Sequence, residues 1–299
     1  MSFREKWLEA VDKKDSVLCA GLDPADFKMG RGEKGLPEGV NRRDWALGFI
    51  RAVAPYCAAV KPNIQYWKDE GDMESLMVVS AIAEECGLLV IDDSKLADIA
   101  DTNDAGFFYA GRRPVDAVTF SPFAGNIAEA AKQGHDRGVG VISMCLMSNP
   151  EYDREKKKLV NVWDCVGQYD ENDIIYLRDE ETGYDGFFVH QYVHLARQAE
   201  LCGIDGIVIG APSSKNHITE EELATARRQV SDRMLVLLPG VGAQGGEAEA
   251  IWKYFAKGAV IVNVGRDLMF PGNNNAAGPE EHAARAKHYM ERLNELRAA

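Results

Sequence analysis

The chain has 299 residues, of which 46% are hydrophobic and 27% are charged, so it can bury a large core as one domain or two. Its formal net charge of −13 argues against nucleic acid or an anionic membrane surface as a general partner. No run approaches about 20 uninterrupted apolar residues, so no membrane span is predicted. The six cysteines are scattered and the first residues lack a signal-peptide pattern, so we expect reduced thiols and a cytoplasmic protein.

Short apolar runs alternate with helix-like segments along the chain. Eight runs are strand candidates because they are nearly continuous in apolar residues, as is typical of parallel strands covered on both faces. They span 16–22, 58–62, 88–93, 117–121, 139–147, 206–210, 234–238 and 259–264. The helical patterns between them include 73–86, 187–202 and 245–257.

Eight β–α units in about 300 residues predict a closed (β/α)8 TIM barrel, and we expect one domain over 1–299. A doubly wound open sheet is the alternative, but no G-x-G-x-x-G follows the first strand. Two segments exceed a minimal barrel: a Gly- and Lys-rich loop at 24–38 and an extended loop insertion at 149–186, after the fifth strand. Charge runs such as those of the insertion are usually solvated faces.

Charged residues gather where the third predicted strand ends, in "VIDDSKLADIADTN" at 90–103. Reactive groups of such barrels lie at the carboxyl ends of the strands. Side chains two apart on a strand share a face, so Asp93 and Lys95 are expected to point into the barrel mouth. With Lys61 and Asp98 they would alternate in sign, which pairs every buried charge. A lysine held between carboxylates stays protonated, so it is a proton donor rather than a nucleophile.

A second constellation follows the seventh and eighth strands, in "PGVGAQGG" at 239–246 and "NVGRD" at 263–267. These loops are the usual phosphate site of the barrel, and glycine lets backbone amides approach an anion closely. Gln244 offers an amide donor and Arg266 a planar cation that can bind phosphate through two hydrogen bonds. The alternative is that both are ordinary loop residues.

The combined motifs resemble the orotidine 5′-phosphate decarboxylase family, in its longer bacterial-type branch. The segment "DSKLADIADT" is similar to the family's D-x-K-x-x-D-I-x-x-T signature, and "GLDP", "VKPN", "MSNP" and "GAQGG…VGR" resemble its other motifs in the same order. A lone D-x-K-x-x-D would be weak, because related sugar-phosphate lyases carry it too. The resemblance runs through most of the chain.

The resemblance implies a cofactor-free and metal-free decarboxylation of orotidine 5′-phosphate to UMP and CO2 in pyrimidine biosynthesis. Lys95 would protonate C6 of the pyrimidine, and Asp93 would sit beside the departing carboxylate. Lys61 would belong to the charged array as well as to the ribose site. Asp98 would reach the site of a neighbouring subunit, so a homodimer is implied.

The resemblance also implies the residues that bind the substrate. Asp23 would hold ribose hydroxyls, and Thr102 would reach the ribose in the neighbouring subunit. Ser148 would contact the pyrimidine, while Gln244 and Arg266 would bind the phosphate. The segments 24–38 and 149–186 directly follow Asp23 and Ser148, so the geometry of the mouth is left open.

Each of these residues also has a structural interpretation. Asp98 could be the N-cap of the following helix. Asp93 and Lys95 could form a plain salt bridge, and S-N-P at Ser148 is also good turn chemistry.

Two functions of other classes remain as alternatives. One is a metal-dependent lyase or decarboxylase acting on a sugar phosphate, and the other is a non-catalytic phosphate-binding barrel. His190 and His194 have the spacing of a metal pair, but no carboxylate cluster joins them, so they are interpreted as helix-surface or packing residues.

Overall fold

The strands of the chain are short, and they end close to where the apolar runs end. The computed structural model describes residues 1–26, 29, 35–69, 71–178, 183, 185–242 and 248–299. In chain order the strands are β1 Leu18–Leu22, β2 Ala59–Pro62, β3 Leu89–Leu96, β4 Ala117–Phe120, β5 Gly140–Leu146, β6 Leu159–Asn161, β7 Ile175–Arg178, β8 Asp185–His190, β9 Gly206–Ile209, β10 Leu235–Pro239 and β11 Val260–Val264.

Within the described residues, eight of these strands close into a parallel barrel in the order β1-β11-β10-β9-β5-β4-β3-β2. The ring closes where β1 pairs with β11, in a register that sets Leu18 opposite Val262. Most barrel residues are fully buried, since helices cover the outer face and side chains fill the inside. The predicted (β/α)8 barrel is confirmed, and all eight predicted strands are present.

Helices connect the barrel strands and cover their outer faces. Their bounds are α1 Phe3–Lys14, α2 Arg42–Val53, α3 Asp72–Glu85, α4 Ala100–Gly111, α5 Ile127–Asp136, α6 Tyr152–Glu155, α7 Gln191–Leu201, α8 Glu220–Gln229, α9 Arg266–Met269 and α10 Pro279–Ala298. Capping boxes begin α1, with Ser2 and Glu5, and α8, with Thr219 and Glu222. The helix predicted at 73–86 is confirmed as α3. None of the described helices is long and apolar enough to cross a bilayer.

The extended segment after the fifth barrel strand is present, and it is more ordered than a plain loop. It contains α6, and β6 and β7 pair on either side of β8 in a small antiparallel sheet. The helix predicted at 187–202 was wrong at its start, because Phe187–His190 belong to β8. In those four residues, antiparallel pairing with β6 and β7 overrides the helical pattern.

The helix predicted at 245–257 was also wrong in its described part. Glu249–Lys253 forms a short 3-10 helix, and residues 243–247 lie outside the described structure.

Helix α1 lies across the amino ends of the barrel strands. Trp7 is fully buried and its Nε1 donates to the Gly258 carbonyl, 2.8 Å away, just before β11. Lys6 forms an ion pair with Asp116 at 2.9 Å, just before β4. Lys14 donates to the carbonyls that precede β2 and β3. The helix therefore closes the end of the barrel opposite the carboxyl ends of the strands.

Candidate active site

A cleft of about 310 Å³ opens at the carboxyl ends of the barrel strands. Its walls come from the ends of β1, β2, β3, β5, β9, β10 and β11. Six of the nine residues that the sequence singled out line it: Asp23, Lys61, Asp93, Lys95, Ser148 and Arg266. The barrel brings these residues together although they lie up to 243 positions apart along the chain.

Asp93 lies at the centre of the charged group. Its Oδ2 accepts from the Lys61 ammonium on the neighbouring strand, and its Oδ1 accepts from the Lys95 ammonium at 2.5 Å. Asp93 and Lys61 are 5% and 6% exposed, whereas the side chain of Lys95 is about half exposed. The arrangement is a buried carboxylate between two cations, one of which reaches the cleft.

Burial and charge oppose each other in this group. Burial raises the pKa of the Asp93 carboxyl, but the nearby Lys61 and Lys95 ammonium groups outweigh it and hold the pKa below its usual value. Burial likewise lowers the pKa of Lys61, but the Asp93 and Asp23 carboxylates outweigh it and raise the pKa above its usual value. Asp93 and Lys61 are therefore both ionised at neutral pH.

Thr119 on β4 fixes this group from the side. Its hydroxyl donates to Asp93 Oδ1 at 3.0 Å and accepts from the Lys95 backbone N–H at 2.9 Å. Lys95 adopts a left-handed backbone with φ of 50°, which is uncommon for a residue with a side chain. Such strain persists only where neighbouring contacts determine it, and it clusters at functional sites.

Another part of the cleft wall is formed by Ser148 and Asn149, which follow β5. The Asn149 carbonyl accepts from His217 Nε2 at 3.0 Å. Gly210 lets this segment approach β9, because a Cβ at Gly210 would lie 2.6 Å from the Cβ of Ser148. Ser148 thus owes its place in the wall to a close backbone approach.

Arg266 begins α9 at the rim and its side chain is exposed. The next residue, Asp267, accepts from Arg285 and from the Tyr289 hydroxyl of α10. This contact fixes α9 beside the cleft. Gly21 permits the approach of the β11 end, since a Cβ there would lie 2.9 Å from the Gly265 Cα.

The remaining three predicted residues lie elsewhere. Asp98 is exposed outside the cleft, and its Oδ1 accepts from the N–H of Ile99, which is the N-cap of α4. Thr102 is exposed on α4. Asp98 therefore does not complete the charged array within one chain. Gln244 lies outside the described residues.

The chain matches the profile of the orotidine 5′-phosphate decarboxylase / HUMPS family over residues 16–280. It belongs to this family. A curated orotidine 5′-phosphate decarboxylase of Halobacterium salinarum is 30% identical over 99% of this chain and 100% of its own length. Another, of Methylibium petroleiphilum, is 31% identical over 92% of each chain. The resemblance drawn from the motifs is thus confirmed.

A solved structure of the family shows the same fold. The Leishmania donovani OMP decarboxylase superposes with a TM-score of 0.71 at 24% identity, and the match covers all of both chains. The two chains therefore share the barrel fold.

Three cleft or neighbouring residues were not assigned from the sequence. Asn63 follows Lys61 in the family's "VKPN" motif, and that motif could have drawn attention to it. Asn263 precedes "VGR", and its Oδ1 is buried without a hydrogen-bond partner among the described residues. Thr119 lies on another strand, so no local motif marks it. His190 and His194 lie apart from the cleft, and His194 accepts or donates a hydrogen bond with the Tyr169 hydroxyl at 2.8 Å.

Proposed function

We propose that this chain decarboxylates orotidine 5′-phosphate to UMP and CO2 without a cofactor. Family membership and the names of the curated relatives support the reaction. The observation that carries it is the Lys61–Asp93–Lys95 group in the cleft, whose ammonium and carboxylate groups are already paired. A small phosphorylated substrate suits a cleft of about 310 Å³ with a rim arginine.

The chemistry assigns one event to each group. The bond between C6 and its carboxylate breaks, CO2 leaves, and the electron pair remains on C6. The Lys95 ammonium then donates a proton to C6 and recovers one from water after the product leaves. Asp93 lies beside the departing carboxylate and holds the Lys95 ammonium through its Oδ1.

Electrostatic stabilisation of the C6 carbanion lowers the reaction barrier. The C6 carbanion has no conjugated sink, so nearby positive charge must stabilise it. Lys95 is held by Asp93 and by its backbone contact with Thr119, so its ammonium needs little reorganisation when charge develops. Among the effects that lower an enzymatic barrier, preorganised charge of this kind usually contributes most.

The rest of the cleft is proposed to bind the nucleotide. Asp23 and Lys61 would hold ribose hydroxyls, and Ser148 would contact the pyrimidine ring. Arg266 would bind the phosphate together with Gln244. Phosphate binding far from C6 would then help to hold the reacting ring in place.

We further propose a homodimer in which Asp98 and Thr102 complete the site of the partner. Both are exposed, and Asp98 lies beside the exposed apolar side chains of Ile99 and Phe123, which are 67% and 90% exposed. The Asp98 carbonyl accepts from Asn126, which ties this segment to the loop that carries Phe123. Exposed apolar patches mark association surfaces.

The scattered cysteines favour a cytoplasmic location.

The test is loss of orotidine 5′-phosphate measured by ultraviolet absorbance with a metal chelator present. Wild-type turnover that survives chelation and collapses in Lys95→Ala is expected. Lys287→Ala, on the exposed face of α10, is the matched control and should keep full activity. Turnover of a sugar phosphate that requires magnesium would point to the metal-dependent lyase, and binding without turnover would point to the non-catalytic barrel.

A further inference from the structure

A second aspartate lies directly behind the charged group, on the other face of β3. Asp92 is fully buried, and its carboxylate oxygens accept from the Arg113 guanidinium and from the Ser94 hydroxyl. Because side chains alternate along a strand, Asp92 and Ser94 face away from the cleft, whereas Asp93 and Lys95 face into it. The "DDSK" segment therefore carries an ionic contact on each face.

The contacts of Asp92 and Asp93 lie on opposite faces of an irregular stretch of β3. Its pairing with β4 runs to Asp92 opposite Val118 and resumes only at Leu96 opposite Phe120, so β3 has extra residues in between. Lys95 lies inside this bulge with its left-handed φ of 50°. A bulge re-aims the side chains that it carries, and here it aims the Lys95 ammonium at Asp93.

Burying Arg113 beside Asp92 costs free energy, because not all of its donors are satisfied. Arg113 follows α4 and its side chain is only 5% exposed, yet its Nε and Nη1 are buried without a hydrogen-bond partner among the described residues. A buried ion pair with unsatisfied donors stabilises a fold no better than apolar residues of similar size. The pair instead fixes the orientation of the bulge, because it ties the outer face of β3 to Arg113.

We propose that Asp92 and Arg113 are positioning residues for the reaction. By holding the outer face of the bulge, they keep Lys95 in the left-handed conformation that sets its ammonium against Asp93. This inference rests on the proposed function, in which Lys95 is the proton donor. Neither Asp92 nor Arg113 lines the cleft, so they act only through Lys95.

The decisive variant replaces the pair by apolar side chains, Asp92→Leu with Arg113→Met. Apolar replacement of a buried pair is often neutral or stabilising. A loss of activity in this variant would therefore come from changed geometry and not from lost stability. We expect a Tm close to that of the wild type, a kcat reduced about tenfold or more and a KM within about threefold. A folded double variant with wild-type kcat would overturn the proposal.

Ser94→Ala is the milder variant for the case in which the double variant does not fold. It removes the hydroxyl that donates to Asp92 Oδ1 and leaves that buried oxygen without its partner, so a lower Tm and a kcat reduced about threefold are expected; an unchanged kcat would overturn the proposal. The control replaces the half-exposed Asp104–Arg137 pair between α4 and α5 by Leu and Met. Its kcat should equal that of the wild type.

A crystal structure of the folded variant provides a readout that does not depend on activity. In the wild type Lys95 Nζ lies 2.5 Å from Asp93 Oδ1. In the variant this contact should be lost and Lys95 should leave the left-handed region. An unchanged contact and φ in the variant would overturn this inference. Failure of the wild type to decarboxylate orotidine 5′-phosphate would instead count against the proposed function, and the structural comparison would still test the inference.

Discussion

At the scale of single residues, Asp93 depends on its neighbours for its charge. A carboxyl group that is 5% exposed would ordinarily favour its neutral form, since burial raises its pKa. Lys61 and Lys95 reverse that tendency and lower the pKa. The same two contacts therefore also contribute to the stability of the folded chain.

This linkage predicts a pH dependence with a definite sign. The pKa of Asp93 in the folded chain lies below that of an unfolded aspartate, about 3.9. The ionised carboxylate therefore stabilises the fold above about pH 4, and that stabilisation is lost as pH falls towards the folded pKa. The free energy of unfolding of the wild type, relative to Asp93→Asn, should be constant above about pH 5 and should fall as the pH is lowered from about 5 to 3 in urea titrations.

The control for this measurement is Asp12→Asn, on the exposed face of α1. Its stability relative to the wild type should change little over the same range. A wild-type advantage over Asp93→Asn that did not vary with pH would contradict the linkage.

Thr119 gives a second prediction at this scale. Thr119→Val keeps the shape but removes the hydroxyl that donates to Asp93 and accepts from the backbone N–H of Lys95. A buried donor left unpaired costs about 1–3 kcal/mol, and a displaced Lys95 should lower kcat more than it raises KM. Steady-state kinetics and thermal unfolding measure both effects.

Thr225→Val is the matched control, because Thr225 is also buried and accepts a hydrogen bond, from Arg228 at 2.8 Å, far from the cleft. It should lose stability and keep kcat. Equal kcat values in the two variants would show that Thr119 does not position the site.

The sequence predicted the inward-facing charges better than the contacts around them. Asp93 and Lys95 were found because period-two alternation and a strand end are local features. Thr119 and Arg113 could not be found in this way, since each contacts β3 only after the neighbouring strand and helix have packed. The bulge at Lys95 was missed for the same reason, because a regular strand also places Asp93 and Lys95 on one face.

At the scale of elements, a buried lysine helps to fasten the segment after β5 to the barrel. Lys156 is 1% exposed, and its Nζ contacts Glu222 of α8 and the His217 carbonyl, both at 2.6 Å. His217 in turn donates to the Asn149 carbonyl in the cleft wall. The anchor of this segment is thus linked to the wall that contains Ser148.

Lys156→Ala should therefore be strongly destabilising. It leaves the largely buried Glu222 without its cation, and breaking a buried pair costs about 3–5 kcal/mol. Lys157→Ala is a matched control one residue away, since the Lys157 side chain is 60% exposed and its ion pair with Asp153 lies at the surface. Urea unfolding of both variants tests the difference, and equal stabilities would show that Lys156 is not an anchor.

Element prediction succeeded where burial on both faces gave continuous apolar runs, as in β5 and β11. It was wrong at Phe187–His190, because this stretch has a helix-compatible pattern and only its pairing with β6 and β7 makes it a strand. Local sequence cannot report a partner strand that lies in the same insertion but more than a few residues away.

At the scale of the whole molecule, the free cysteines report on global unfolding. Cys19, Cys57 and Cys145 are buried, and burial raises the pKa of Cys19 and Cys145 to about 12. The thiolate is the reactive form, so these thiols should be inert near pH 8 until the barrel opens. Cys86, Cys165 and Cys202 are partly exposed and should react first.

Titration with an aromatic disulfide reagent measures this division. Native protein should release a fast phase from the partly exposed thiols, and the buried thiols should react at the rate of unfolding. All six should react at once in concentrated urea. Rapid native labelling of Cys19 would show that the barrel opens far more readily than its burial implies.

The position of α1 has a consequence for how the chain is made. Trp7 bonds to Gly258, 251 residues further along, and at ribosomal rates that partner is synthesised roughly 12–50 s later. β1 can meet β2 early, but its other edge waits for β11. The nascent chain must therefore leave Trp7 without its Gly258 partner through most of translation, and the barrel can be sealed only once the last strand has left the ribosome.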